Sequence, residues 1–187
     1  ATPVSRPMTT THRAAWVTSD GGRHVRLIEG TAEIADVTAF VKDLAAIGEA
    51  HDAAVQAFDA RYIAGREHLR VAVERANRAI ERDDVIADDR AVEIICYAAA
   101  RRQINRALEM GVSEGEGPVV VVVDGGDEAG TIEAVREMIE PGEVLEAASD
   151  ASLIRDFFGI TDAEVAATGA SLEDLVIDRV SLLVVEK

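Results

Sequence analysis

The sequence predicts an α/β fold, in which a single helix-rich domain surrounds a small mixed β-sheet. Three observations support this prediction. Apolar residues recur at both helical and strand-like spacings along the 187 residues. One uninterrupted aliphatic run, Val119 to Val123, is bounded by turn residues and followed by a helical pattern, which indicates a buried strand with a crossover. The hydrophobic content of 48% is sufficient for one sizeable core.

The chain begins with a segment that has no periodic pattern. Residues 1–12 contain two prolines and three consecutive threonines, so we expect a flexible lead-in before a single domain over residues 13–187. Arg13 to Thr18 and His24 to Glu29 flank Asp20-Gly21-Gly22. Two strand-like segments around a glycine turn predict a β-hairpin.

Two helices and a strand follow the hairpin. Asp36 can cap a helix that ends near His51, with apolar positions Val37, Phe40, Val41, Leu44 and Ile47. Ala53 to Phe58 is predicted to be a short strand. The next helix is expected from about Arg66 to Arg82. Its inward positions are Leu69, Val73, Ala76 and Ile80.

The middle of the chain predicts two more helical segments before the aliphatic strand. Asp88 or Asp89 can cap the first of them. Its inward positions are Val92, Ile95, Cys96 and Ala99. The second segment, from Arg101 to Met110, is expected to bury Ile104 and Leu108 and to stop at Gly111.

The last third predicts several helices and a closing strand. A helix from about Glu128 to Glu140 should end at Pro141-Gly142. Another should start at Ser149 and stop at Gly159, with Leu153, Ile154, Phe157 and Phe158 inward. Thr161-x-x-Glu164 is a capping-box pattern for a short helix, and Ser171 can open one more. Arg179 to Val185 is predicted to form a final strand.

The composition is strongly acidic. The chain has 35 Asp and Glu against 19 Lys and Arg, and only Lys42 and Lys187 among the basic residues are lysines. Carboxylates hold water against salt, so this bias favours a protein from a halophile over an ordinary acidic one. The single cysteine, Cys96, cannot form an internal disulfide. Without a signal-peptide pattern or a run of about 20 apolar residues, we expect a cytoplasmic protein with no membrane partner.

No catalytic constellation can be assembled. The four histidines, His12, His24, His51 and His68, lack the His-x-x-x-His spacing of metal sites, and no P-loop is present. We therefore expect no cofactor, no metal and no catalytic residues. One alternative stays open: Asp124 and Asp127 follow the aliphatic strand, where an Asp can bind Mg²⁺ or ribose in a small α/β enzyme.

Arginine is concentrated in one stretch. Between Asp59 and Arg106 there are ten arginines and nine acidic residues, so this part is nearly neutral while the rest of the chain is strongly acidic. Arg101-Arg102-Gln103 places forked donors at a helix start, and such donors pair with phosphates and with the base edges of unstacked RNA. A polyanion-binding scaffold protein remains a second alternative.

Two motifs carry a family resemblance. They are Gln56-x-Phe58-Asp59-Ala60-Arg61-x-Ile63-Ala64-Gly65-x-x-His68-Leu69-x-x-Ala72 and Glu93-Ile94-Ile95-x-Tyr97-Ala98-x-x-Arg101-Arg102-Gln103-Ile104-x-x-Ala107. From about Trp16 onward the sequence resembles the smallest regulatory subunit of the archaeal and eukaryotic KEOPS complex, the family of the PRPK-binding protein TPRKB. One departure is Ala100, where glycine is expected in many relatives.

The resemblance implies a non-catalytic subunit that binds and stimulates the PRPK-like kinase/ATPase of KEOPS. It also implies capture of tRNA by its 3′ CCA end, for threonylcarbamoyladenosine modification. The residues expected to contact RNA are Arg66, His68, Arg70, Arg101, Arg102, Gln103 and Arg106. The residues expected to dock the kinase are Val37, Phe40, Val41, Leu172, Leu175 and Val176.

Overall fold

The computed structural model describes residues 15–18 and 24–184; the predicted lead-in and the Asp20-Gly21-Gly22 turn lie outside them. The described strands are β1 (Ala15–Thr18), β2 (His24–Ile34), β3 (Ala54–Asp59), β4 (Gly115–Asp124) and β5 (Glu140–Pro141). They form one sheet in the order β1-β2-β4-β3, with β5 also paired to β2. The α/β fold class is thus confirmed. The pairings among these strands are antiparallel rather than mixed, because β4 joins β2 and β3 without a parallel crossover.

Helices occupy most of the remaining described chain. They are α1 (Val37–His51), α2 (Arg66–Glu81), α3 (Arg90–Ala98), α4 (Ile104–Ala107), α5 (Glu128–Met138), α6 (Leu145–Ala148), α7 (Ala151–Phe158), α8 (Asp162–Thr168) and α9 (Leu172–Leu182). Short 3-10 turns cover Ala60–Tyr62 and Leu108–Met110. No helix in residues 24–184 is long and apolar enough to cross a membrane.

Side-chain caps start the helices where the sequence predicts them. The carboxylate of Asp36 accepts a hydrogen bond from the Ala39 N–H at the start of α1, and Asp89 does the same for Val92 in α3. Thr161 caps α8, and Ser171 forms a capping box with Asp174 at α9. Each cap satisfies a backbone N–H that the helix itself leaves unpaired.

The sheet separates two apolar cores, and the alternation of side chains along β4 shows the division. Val120 and Val122 belong to the larger core, with residues of α2, α3, α7 and α9. Val121 and Val123 belong to the smaller core, with residues of α1 and α5. Successive strand residues point to opposite faces, so the fold has three layers, with α2, α3 and α9 on one face of the sheet and α1 and α5 on the other.

Several predicted elements differ in the structure. The helix expected to start at Ser149 begins at Ala151 and is capped by Asp150, and the segment expected to be helical from Arg101 to Met110 forms an α-helix only over Ile104–Ala107. The expected final strand over Arg179–Val185 is wrong, because α9 runs through Leu182 and buries Val176, Val180 and Leu183 at helical spacing on one face. The helix predicted to reach Glu140 ends at Met138, and Glu140 pairs with Thr31 instead. Ile80, expected to be inward, remains 38% exposed at the end of α2.

Candidate nucleic-acid interface

The turn between α3 and α4 presents the Arg101-Arg102-Gln103 segment. The Ala100 N–H donates to the Tyr97 carbonyl at 3.0 Å, and the Arg101 N–H donates to the Cys96 carbonyl at 3.0 Å. This pair of bonds is a Schellman motif, which ends a helix with one residue in the left-handed conformation. That residue is Ala100, with φ 50°. The motif turns the chain sharply, after which Arg101 is half-buried and Arg102 is exposed.

Arg102 and Gln103 are exposed at this turn. Within residues 24–184, no hydrogen bond or ion pair engages the Arg102 guanidinium, so its donors remain available to a ligand. Gln103 is the N-cap residue of α4, but its side chain makes no capping hydrogen bond. A free guanidinium and a free amide therefore lie side by side, as direct contact with phosphates and base edges requires.

Apolar side chains continue this surface. Ile104 and Leu108 are 39% and 52% exposed, so their predicted burial is wrong; Ala107 and Met110 fill the interior instead. Ile104 and Leu108 are four residues apart and lie on one side of the α4 segment. Unpaired nucleobases pack against apolar and planar groups. The turn thus combines hydrogen-bond donors with an apolar platform, which the sequence pattern alone did not indicate.

Arg101 and Arg106 differ from Arg102 in their surroundings. Arg101 donates from Nη2 to the Phe157 carbonyl at 2.6 Å, and its guanidinium lies 5.2 Å from the centre of the Phe157 ring. These contacts anchor the turn to α7. The Arg106 side chain is 59% exposed and only loosely paired with Glu109, at 3.5 Å. Arg106 is therefore available to a ligand, whereas Arg101 mainly holds the turn in place.

Two further predicted RNA contacts are ion-paired on α2. Arg66 donates from Nη2 to Glu29 Oε1 at 2.5 Å. Arg70 bonds both Glu67 and Glu74, and the hydrogen bond to Glu67 is the main cause that raises its pKa. Any phosphate that bound these arginines would have to compete with the carboxylates. Arg66 and Arg70 thus differ from Arg102, which makes no hydrogen bond or ion pair with a carboxylate among the described residues.

The structure places His68 inside the protein, not on the predicted RNA surface. The side chain is fully buried; its Nδ1 accepts from the Ala64 N–H at 3.2 Å and its Nε2 donates to the Ala98 carbonyl at 2.8 Å. Burial lowers the His68 pKa to about 4, so the ring is neutral at pH 7. His68 ties the start of α2 to the end of α3, and so supports the turn that carries Arg102.

Two carboxylates that the sequence reasoning missed, Glu29, which is buried, and Glu173, which is half-buried, complete this support. Glu29 lies on β2 and accepts from Arg66 and from the backbone N–H groups of Val144 and Leu145. Glu173 on α9 accepts from the His68 N–H at 3.1 Å, and it occupies the space that a Cβ on Gly65 would need. An acidic residue at an inward strand position was the available signal for Glu29; nothing local indicated Glu173.

The six predicted docking residues do not form one surface. Leu175 and Val176 are buried in the larger core, and Leu172 packs half-buried against it, so two of these three cannot contact a partner in this conformation. The α1 residues lie on the other face of the sheet. There Val41 is 49% exposed, while Val37 and Phe40 are half-buried.

The alternative ligand site at the end of β4 is occupied by protein contacts. The Asp124 carboxylate is fully buried and accepts from Asn77 Nδ2 at 2.9 Å and from the Arg90 guanidinium. Asp127 caps α5 and bonds His51 at 3.2 Å. No cluster of three His, Cys, Asp or Glu side chains suited to a metal ion occurs in the described part of the chain. Asp124 thus acts as an internal anchor for α2 and α3.

Comparison with known proteins identifies the family of the chain. No curated protein matches the chain significantly. The family model described as kinase binding protein CGI-121 matches residues 33–183, which include both motifs, the α3–α4 turn and most of both cores. The chain therefore belongs to the CGI-121 family of kinase-binding proteins, the family of the smallest accessory subunit of KEOPS.

Proposed function

We propose that this chain is a non-catalytic regulatory subunit of KEOPS that binds and stimulates the PRPK-like kinase/ATPase and captures tRNA by its 3′ CCA end. The capture would serve threonylcarbamoyladenosine modification by the rest of the complex. The family match supports the kinase-binding part. The acidic, lysine-poor composition favours a location in the salt-rich cytoplasm of an archaeon.

The exposed α3–α4 turn is the observation that carries the RNA part. Arg102 makes no hydrogen bond or ion pair among the described residues, and the exposed Ile104 and Leu108 follow it on the adjoining α4 segment. An arginine can bind the phosphates of either duplex or single-stranded RNA, but exposed apolar side chains favour nucleotides whose bases are unpaired. The 3′ CCA end is the single-stranded terminus that every mature tRNA offers.

Binding of fluorescent tRNA tests this proposal. We expect the wild-type chain to bind intact tRNA more tightly than tRNA lacking its CCA end, and we expect Arg102→Glu to abolish that difference. Stacking on each base contributes about 1–3 kcal/mol, so loss of the terminal nucleotides should weaken binding by at least tenfold. Lys42→Glu, on the opposite face of the sheet, is the matched charge-reversal control.

Equal affinity for the two tRNAs would overturn the capture role. A preference for intact tRNA that survives Arg102→Glu would place the site elsewhere on the protein. Pull-down of the KEOPS kinase by the Arg102→Glu variant examines the kinase part separately, because Arg102 lies on the other face of the sheet from the α1 residues expected to dock it.

A further inference from the structure

Three arginines in the second half of α2 have no place in the surface described above. Arg75, Arg78 and Arg82 are spaced by three, four and seven residues and therefore lie along one side of the helix, over about 10 Å. Together with Tyr97 of α3 they line a small cavity of about 40 Å³. Ala79, Asp84 and Val184 complete its walls. We call these three residues the α2 arginine row.

The α2 arginine row is only partly neutralised by the protein. Arg78 pairs with Glu74 at 2.5 Å. Arg75 is half-buried; its Nη2 makes a long donation of 3.5 Å to the Ser181 hydroxyl, and the Asp84 side chain lines the same cavity. Arg82 is exposed, and no hydrogen bond or ion pair engages it within residues 24–184. In a chain of net charge −16, such cations indicate an anionic partner.

Tyr97 connects the α2 arginine row with the α3–α4 turn. Its side chain is almost fully buried, and burial raises the pKa of its hydroxyl, with Glu93 acting in the same direction. The positive charges of Arg102 and Arg75 both lower that pKa. Arg75 and Tyr97 line the same cavity, and the charge of Arg102 reaches the same hydroxyl, so Tyr97 is common to the two cationic surfaces.

We propose that the α2 arginine row binds RNA backbone phosphates, so that a strand whose 3′ end lies at Arg102 continues past Tyr97 to Arg82. The proposal rests on the tRNA capture proposed above and extends it from the terminal nucleotides to those that precede them. Arginine forks suit phosphate oxygens. Contacts of this kind carry no sequence preference, so they would position any tRNA equally well.

The salt dependence of tRNA binding tests the proposal. Each phosphate contact that is lost should reduce the slope of log affinity against log salt concentration by about 1. We expect Arg82→Ala to lower affinity and reduce the slope by about that amount, on intact tRNA and on tRNA lacking its CCA end alike. Arg82→Lys should restore the slope because it keeps the charge. Lys42→Ala, an exposed single-charge change on α1, should leave the slope unaltered.

The outcomes separate this inference from the proposed function. If Arg82→Ala and the double variant Arg78→Ala/Arg82→Ala both keep the wild-type slope, the inference is overturned even where the CCA preference is found. An equal loss in Lys42→Ala would also overturn it, since the effect would then come from net charge. If tRNA binding is unchanged while kinase pull-down weakens, the row binds an acidic protein segment instead. A reduced slope without any CCA preference would support the row and reject the capture role.

Discussion

At the scale of single residues, the α3–α4 turn depends on groups that never contact a ligand. The two ring nitrogens of His68 connect the start of α2 to the end of α3, and Arg101 holds the turn against Phe157. Ala100 adopts the left-handed conformation that glycine adopts without cost. The resemblance anticipated glycine at this position, and the backbone angle shows why: a Cβ there is strained by about 1 kcal/mol.

Ala100→Gly should therefore stabilise the protein. Relief of the strained Cβ is partly offset by the larger entropy of glycine in the unfolded chain, so we expect the free energy of unfolding to rise by about 0.5 kcal/mol. Denaturant unfolding monitored by circular dichroism measures it. Ala99→Gly is the matched control, because Ala99 has φ −79°; it should destabilise. A loss of stability in Ala100→Gly would contradict the argument.

At the scale of elements, the helices divide the two proposed partners between the two faces of the sheet. The α3–α4 turn and α2 lie on one face and α1 on the other. Since Leu175 and Val176 are buried, the exposed edge of α1 around Val41 is what remains of the predicted docking set. A kinase bound there would leave the proposed RNA surface uncovered, so that both partners could bind at once.

A charge on the exposed edge of α1 should weaken kinase binding. Val41→Asp places a carboxylate where we expect an apolar contact, and burial of an unpaired charge in an interface costs several kcal/mol. We expect at least a tenfold loss of kinase affinity by calorimetry, with tRNA binding unchanged. Ala46→Asp, at an exposed position on the opposite side of α1, is the matched control. Unaltered kinase affinity in Val41→Asp would remove α1 from the interface.

At the scale of the whole molecule, charge dominates. A net charge of −16 on 187 residues is self-repulsive, and the Debye length falls from about 30 Å at 0.01 M salt to about 3 Å at 1 M. Salt therefore relieves the repulsion that destabilises the compact state. The same screening reduces the repulsion between this acidic protein and RNA, and leaves short-range hydrogen bonds and stacking to determine binding.

The thermal stability of the chain should rise with KCl. We expect the unfolding midpoint to increase by several degrees for each kcal/mol of repulsion removed, with most of the gain below about 1 M, where the Debye length changes most. Differential scanning calorimetry across a KCl series measures it, and potassium glutamate distinguishes screening from chloride binding. A midpoint that falls with salt would argue against the halophilic interpretation.

The sequence by itself determined the fold class, the helix caps and the aliphatic strand, because these depend on local spacing and on side chains that bond their own backbone. Through the Arg-Arg-Gln motif it also suggested Arg102 and Gln103 as candidate RNA contacts, which stays a prediction. Tertiary structure decided the rest. The segment 179–182 became helical because Val176, Val180 and Leu183 complete the face of α9 that packs on the core, which outweighs the strand preference of Val180. Burial of His68 was likewise decided by the neighbours that α3, α7 and α9 bring to it, Ala98, Phe158 and Glu173, information that no local pattern contains.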